Sequence, residues 1–169
     1  IKHAMKGGIG TASIDVGGGI IVAAIIAVNA FGDVIDPANG KIIAGLRNTE
    51  GAPADTLETM RSTLGRGILH LAASHNTIIG VVATNAKLTK EQVNKVAQTS
   101  HNGLARSVRP AHGMFDGDTL FAVATGQRAG NINVIAAYAP EVVAQAIFNA
   151  VYYAEPVGGL PSARSLGLI

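Results

Sequence analysis

One hydroxyl, one amide and two carboxylates stand where each could do chemistry: Thr77, Asn29, Asp116 and Asp118. Thr77 follows Asn76, where the polar piece Ser74-His75-Asn76 meets Thr77-Ile78-Ile79-Gly80-Val81-Val82-Ala83-Thr84-Asn85, a run that reads as a buried strand. A threonine at a strand edge is ordinarily a β-former and nothing more. Cutting the Asn76–Thr77 bond would change that, because the threonine would gain an α-amine beside its own hydroxyl. Such an amine titrates at about 7.7–8, is partly neutral near pH 7, and can take the hydroxyl proton without any histidine. Asn76–Thr77 is therefore a candidate self-cleavage site, and Thr77 the nucleophile that cleavage would uncover.

Asn29 ends an apolar run and reads either as a turn-former before Gly32 or as an amide that donates to a developing oxyanion. Asp116-Gly117-Asp118 is by default a turn. Two carboxylates on one glycine hinge could also orient an amine or hydroxyl and favour the protonated amine. His112 is near, but three ligands at fitting spacing are not visible, so no metal is expected. His70 and His75 could serve as general bases; they, His3, His101 and His112 read by default as solvated or structural histidines. Gly7-Gly8-Ile9-Gly10 precedes a strand, the wrong order for a dinucleotide loop. The chain has neither a Gly-x-Ser-x-Gly elbow nor a cysteine. No cofactor is expected.

These groups need a scaffold, and 169 residues suffice for a single domain with a sizeable core. Apolar residues make up 48% and charged ones 14%, against a usual charged share of about 25%. So few charges point to a large oligomer interface or a missing partner segment. Thirteen basic and eleven acidic residues give a net charge of +2 with no basic cluster, which argues against nucleic acid. The longest apolar run, Ile20 to Val28, is nine residues, where a membrane helix needs about 20. No membrane partner is expected, and the expected location is the cytoplasm. Because the chain begins at Ile1, an upstream targeting segment stays open.

The pattern predicts strands over 10–16, 20–29, 34–36, 41–45, 77–85 and 118–125. The second is apolar on both faces, as in a sheet covered on both sides. A helix is expected over 56–71, weakened by Gly65 and Gly67. Thr89-Lys90-Glu91-Gln92 is a capping box opening an amphipathic helix that Pro110 ends. Residues 111–117 and 126–131 read as loops, Pro140 and Glu141 as the start of a last helix reaching Ala154, and 156–169 as an extended arm. Two sheets covered by helices fit this order better than a doubly wound sheet.

The segment 76–85, from Asn76 to Asn85, resembles the nucleophile segment of the L-aminopeptidase/D-esterase family, which includes D-aminopeptidases, β-peptidyl aminopeptidases and nylon-oligomer hydrolases. Arg109-Pro110-Ala111-His112-Gly113-Met114-Phe115-Asp116-Gly117-Asp118-Thr119-Leu120-Phe121-Ala122 resembles its second signature. Lys6-Gly7-Gly8-Ile9-Gly10-Thr11-Ala12-Ser13 and Val28-Asn29-Ala30-Phe31-Gly32 resemble two more, so the likeness spans nearly the whole chain. The resemblance implies a layered α-β-β-α sandwich of the N-terminal-nucleophile type. It implies a precursor that cuts itself before Thr77, with 1–76 the end of an α subunit and 77–169 a β subunit that stay together. Asn29 would then be the oxyanion donor, and Asp116 and Asp118 the pair orienting nucleophile and amine. Thr with Asp-Gly-Asp is closer to the nylon-oligomer enzymes than to the β-peptidyl enzymes, which use Ser with Ser-x-Glu. Family chains are roughly twice as long, and a tyrosine and a lysine lining their site lie in the first half, upstream of Ile1. The expected activity is amide or peptide hydrolysis, with the N-terminal part of the same precursor and further copies as partners. An acyltransferase resembling ornithine acetyltransferase, or an inactive assembly protein, are the alternatives.

Overall fold

The computed structural model describes residues 3–62, 65, 67, 76–114 and 116–169. His70, His75 and the far end of the helix expected over 56–71 lie outside them. Strands β1 (Gly8–Asp15), β2 (Ile21–Asn29), β5 (Thr77–Lys87) and β7 (Thr119–Ala129) form one sheet in the order β1-β2-β5-β7. β1 and β5 run antiparallel to β2, while β7 runs parallel to β5. A parallel neighbour needs a crossover, and helix α2 (Lys90–Ser107) supplies it. Short strands β3 (Asp33–Ile35), β4 (Ile42–Ala44) and β6 (Val108–Arg109) make a second sheet, β4-β3-β6. Helix α1 (Thr56–Arg61) follows β4, and helix α3 (Ile132–Tyr152) follows β7.

The core lies between the large sheet and the pair α2 and α3. Val22, Ala24, Ile26 and Val28 of β2 face it with Ile78 and Val82 of β5, against Ile135, Val143, Ala146 and Ile147 of α3. Helix α3, 21 residues long, is long and apolar enough to cross a membrane; here it lies on the sheet with ten residues buried. The glycine-rich start of β1 serves this packing: a Cβ on Gly10 would sit 2.0 Å from the Ala146 carbonyl oxygen.

Among the described residues the opposite face of the sheet is apolar and uncovered. Ile9, Ile25, Ile79, Phe121 and Val123 all point there, with Ile9 at 70% and Phe121 at 56% exposure. Period-two alternation puts both faces of β2 in apolar residues, yet the helices cover only one. The chain thus supplies one helix layer and one large sheet of the expected α-β-β-α arrangement.

Three boundaries differ from the sequence pattern. The last helix begins at Ile132, capped by Asn131, whose side chain accepts the Asn133 N–H, and Pro140 lies inside it. Helix α2 comes close at this proline: a Cβ on Gly103 would lie 2.2 Å from the Pro140 carbonyl oxygen. β7 continues through the expected loop to Ala129. Helix α2 keeps its capping box but ends at Ser107, because Val108 and Arg109 extend to pair with β3. The tail ends in a 3-10 turn, Arg164–Leu166.

Candidate active site

Topology alone gathers the chemistry-bearing residues at one end of the large sheet. β5 and β7 are parallel, so both begin there; β2 is antiparallel to β5, so it ends there. Asn29 closes β2 directly opposite Thr77, which opens β5. Directly opposed residues share a face, with Cβ atoms about 4.5–5.5 Å apart. Asn76 and Asp116 form an isolated parallel bridge that continues the β5–β7 ladder outward, and Asp118 stands one residue before β7.

The Asn76 carbonyl is the focus of this end. The Thr77 hydroxyl donates to it at 2.6 Å, and the Gly117 N–H donates to it at 3.2 Å. Two donors therefore polarise the carbonyl of the very bond singled out in the sequence. Gly117 also lies against the hydroxyl: a Cβ there would come within 2.9 Å of Thr77 Oγ1.

The aspartates do less direct work on Thr77 than their motif implies. Asp118 Oδ1 accepts the N–H of Ile78 at 2.9 Å, gripping the strand next to the threonine. Asp116 Oδ2 turns back to accept the Gly113 N–H at 2.8 Å, closing the loop between β6 and β7. Among the described residues the hydrogen bond of the Thr77 hydroxyl goes to Asn76. Burial, and then the charge of Asp118, hold the Asp116 carboxyl above the ordinary aspartate value, against the Gly113 N–H and His112, which lower it.

His112 Nδ1 lies 3.7 Å from Asp118 Oδ2, and its ring tilts against His101 at 5.0 Å between centroids. Burial, then the neighbouring His112, lowers the His101 pKa, while Asp118 opposes the shift. His112 thus backs the aspartate, and His101 backs His112. Among the described residues no group of three or more His, Asp and Glu converges as a metal site. A cleft of about 580 Å3 reaches this end of the sheet, bordered by Asn29 and Asn76 and lined by Met5, Ala30, Phe31 and Leu46.

Two features were not singled out in the sequence. Gly117 was legible only as a hinge; its N–H acts on the Asn76 carbonyl, and backbone donors leave no signature in residue type. Asp33, fully buried, accepts from Thr56 Oγ1 and N, both at 2.7 Å, and from Leu46 N at 3.1 Å. It ties β3 to the start of α1 beside the cleft.

Residues 1–164 match Peptidase family S58. An uncharacterised aminopeptidase of Mycobacterium bovis is 36% identical over 96% of this chain and 53% of its own length. A 6-aminohexanoate-oligomer endohydrolase of Kocuria sp. is 25% identical over 79% of this chain and 41% of its own. The chain thus spans about half the length of the curated relatives it matches. Among solved structures, the L-aminopeptidase D-Ala-esterase/amidase of Ochrobactrum anthropi, described as a variant of the Ntn hydrolase fold, superposes with a TM-score of 0.61 over 95% of this chain and 44% of that one. At 22% identity that likeness speaks to the fold. The chain belongs to Peptidase family S58.

Proposed function

We propose that this chain is the nucleophile-bearing half of a self-processing amide hydrolase, an aminopeptidase or amide-oligomer hydrolase, that works through an acyl-enzyme on Thr77. The observation that carries this reading is the 2.6 Å contact between the Thr77 hydroxyl and the carbonyl oxygen of the preceding residue. Rotation about the Thr77 side chain would bring that oxygen onto the Asn76 carbonyl carbon. The hydroxyl would add, its proton would pass to the Thr77 nitrogen, and the C–N bond would break to leave an ester. Water would then hydrolyse the ester, releasing the Asn76 carboxylate and restoring the Thr77 hydroxyl beside the α-amine already freed. In the mature enzyme that amine would take the hydroxyl proton as the oxygen attacks a substrate amide; the substrate C–N bond would then break, the proton passing to the departing amine, and water would release the acyl group from Thr77. Asn29, opposite Thr77 on the same face, would donate to the resulting oxyanion, a role typically worth about 10²–10³ in kcat. Asp118 and Asp116 would fix the strand and loop that carry these groups, and Asp118, one residue from Thr77 across the sheet, would favour the protonated form of the new amine.

The uncovered face of the large sheet supports a second element of this reading. The chain spans 53% of the length of its mycobacterial relative, and the remaining half of such a precursor is the proposed occupant. The pairs so formed would assemble further. The cleft beside Asn29 and Asn76 would then hold the acyl part of a small peptide or amide.

The test is intact-mass analysis of the purified full-length protein and of Thr77→Ala. The expected result is a fragment beginning at Thr77 in the parent alone, with amidase activity lost in the variant. An active enzyme without that fragment, or a fully active Thr77→Ala, would overturn the proposal.

A further inference from the structure

We infer that the backbone N–H of Gly117, between the two aspartates, is the oxyanion donor for the self-cleavage step, at a position where the lack of a side chain leaves room for the Thr77 hydroxyl. The inference rests on the proposed cleavage at Asn76–Thr77 and assigns that step a donor. Its basis is geometric. The Gly117 N–H donates to the Asn76 carbonyl oxygen at 3.2 Å, a long hydrogen bond in the resting chain. The Thr77 hydroxyl donates to the same oxygen, at 2.6 Å. That hydroxyl must leave the oxygen in order to attack the carbon, so it cannot stabilise the charge it creates. The Gly117 N–H stays. As Thr77 Oγ adds to the carbon, the C=O π pair moves onto oxygen, and a fixed donor already aimed there strengthens as negative charge grows. The tetrahedral species then collapses: the C–N bond to Thr77 breaks, the nitrogen keeps the proton given up by the hydroxyl, and the ester carbonyl re-forms.

The donor is held by the sheet itself. The Asn76–Asp116 bridge continues the parallel ladder, and Asp118 Oδ1 holds the Ile78 N–H at 2.9 Å, so the Asp116–Asp118 turn cannot drift from the scissile bond. A side chain at 117 would also crowd the nucleophile, since its Cβ would lie 2.9 Å from Thr77 Oγ1 and 3.9 Å from the Asn76 oxygen. The two aspartates thus frame a backbone donor as well as offering their own carboxylates.

The experiment is to translate the full-length precursor with glycolic acid in place of Gly117, which exchanges that one N–H for an ester oxygen and leaves every side chain intact. Formation of the fragment beginning at Thr77 is followed by mass spectrometry. Cleavage is expected to slow by about 10²–10³-fold, the usual effect of losing one such donor. Cleavage at the parent rate overturns the inference while leaving the proposed function standing. A parent precursor that never yields the fragment overturns both. Amide hydrogen exchange on the uncut Thr77→Ala precursor gives a second readout that does not require the ester variant to fold. Gly117 is expected to exchange at least about tenfold more slowly than an unstructured amide, and exchange at the unstructured rate overturns the assignment. If the ester variant does not fold, the exchange result decides alone.

Discussion

Asp118 holds Ile78, not Thr77: its Oδ1 accepts the Ile78 N–H at 2.9 Å, one residue beyond the proposed nucleophile. A β-ladder would ordinarily satisfy that N–H from the neighbouring strand, but β7 begins only at Thr119, and the carboxylate takes the missing carbonyl's place. The side chain is 5% exposed, so the bond is made away from water. Replacing Asp118 with Ala leaves a buried donor unmet, which costs about 1–3 kcal/mol. Asp118→Asn keeps an oxygen that can accept. The expected outcome is that Asp118→Ala lowers both thermal stability and the rate of fragment formation, while Asp118→Asn keeps most of the stability. Equal loss of stability in the two variants would show that charge, and not the hydrogen bond, is what matters there.

Asp116 is expected to titrate above the ordinary aspartate value, because burial, and then the charge of Asp118, disfavour its ionised form. In Asp118→Asn the second cause disappears and the first remains, so the Asp116 carboxyl should move down only part of the way. The sign for stability follows. The folded protein holds this proton more tightly than the unfolded one, so the contribution is fully present below the ordinary value and is lost as pH rises through the raised one. Carbon-13 titration of the Asp116 carboxyl in both proteins checks this, and an unmoved midpoint in Asp118→Asn would remove the coupling between the pair.

Asp33 is a buried tie outside the candidate site. Both its oxygens only accept, from Thr56 N, Thr56 Oγ1 and Leu46 N. An amide in its place would turn one oxygen into a donor facing a donor. Asp33→Asn should therefore destabilise by about 1–3 kcal/mol although the shape is unchanged. The loss should loosen α1 and the cleft wall first. Denaturant unfolding read against the parent checks it, and a change below about 0.5 kcal/mol would show that the network re-forms around the amide.

What the sequence disclosed divides along physical lines. Strands with period-two or continuous apolar runs, β2 and β5, were legible to within a residue or two, because register and burial write themselves into side-chain type. The capping box of α2 was legible because two side chains make it. Helix α3 starts eight residues before the boundary that Pro140 suggests, because Asn131 caps it there and the helix runs on through the proline. The gathering of Asn29, Thr77 and the Asp116–Asp118 turn at one sheet end depends on strand order, which no local pattern encodes. It became readable only through the family resemblance. The Gly117 N–H on the Asn76 carbonyl was beyond both, as a backbone atom has no letter of its own.

The Gly103–Pro140 approach carries the last prediction. A Cβ on Gly103 would lie 2.2 Å from the Pro140 carbonyl oxygen and 2.9 Å from its carbonyl carbon and Cα. These are backbone atoms of a buried helix, so they cannot swing aside as a flexible side chain would. Gly103→Ala should gain about 1 kcal/mol in helix propensity, yet the two helices must separate to admit the methyl, at a typical cost of about 1–3 kcal/mol or more. The separation should win, because α2 and α3 both rest on the same sheet and neither can shift alone. Asn102→Ala on the same helix is exposed and should stay within about 0.5 kcal/mol of the parent. Thermal melts of the two variants decide it: each kcal/mol lost should lower Tm by about 2–4 °C in a protein of this size. A Gly103→Ala melt at or above that of Asn102→Ala would mean that the helices do not meet at this point.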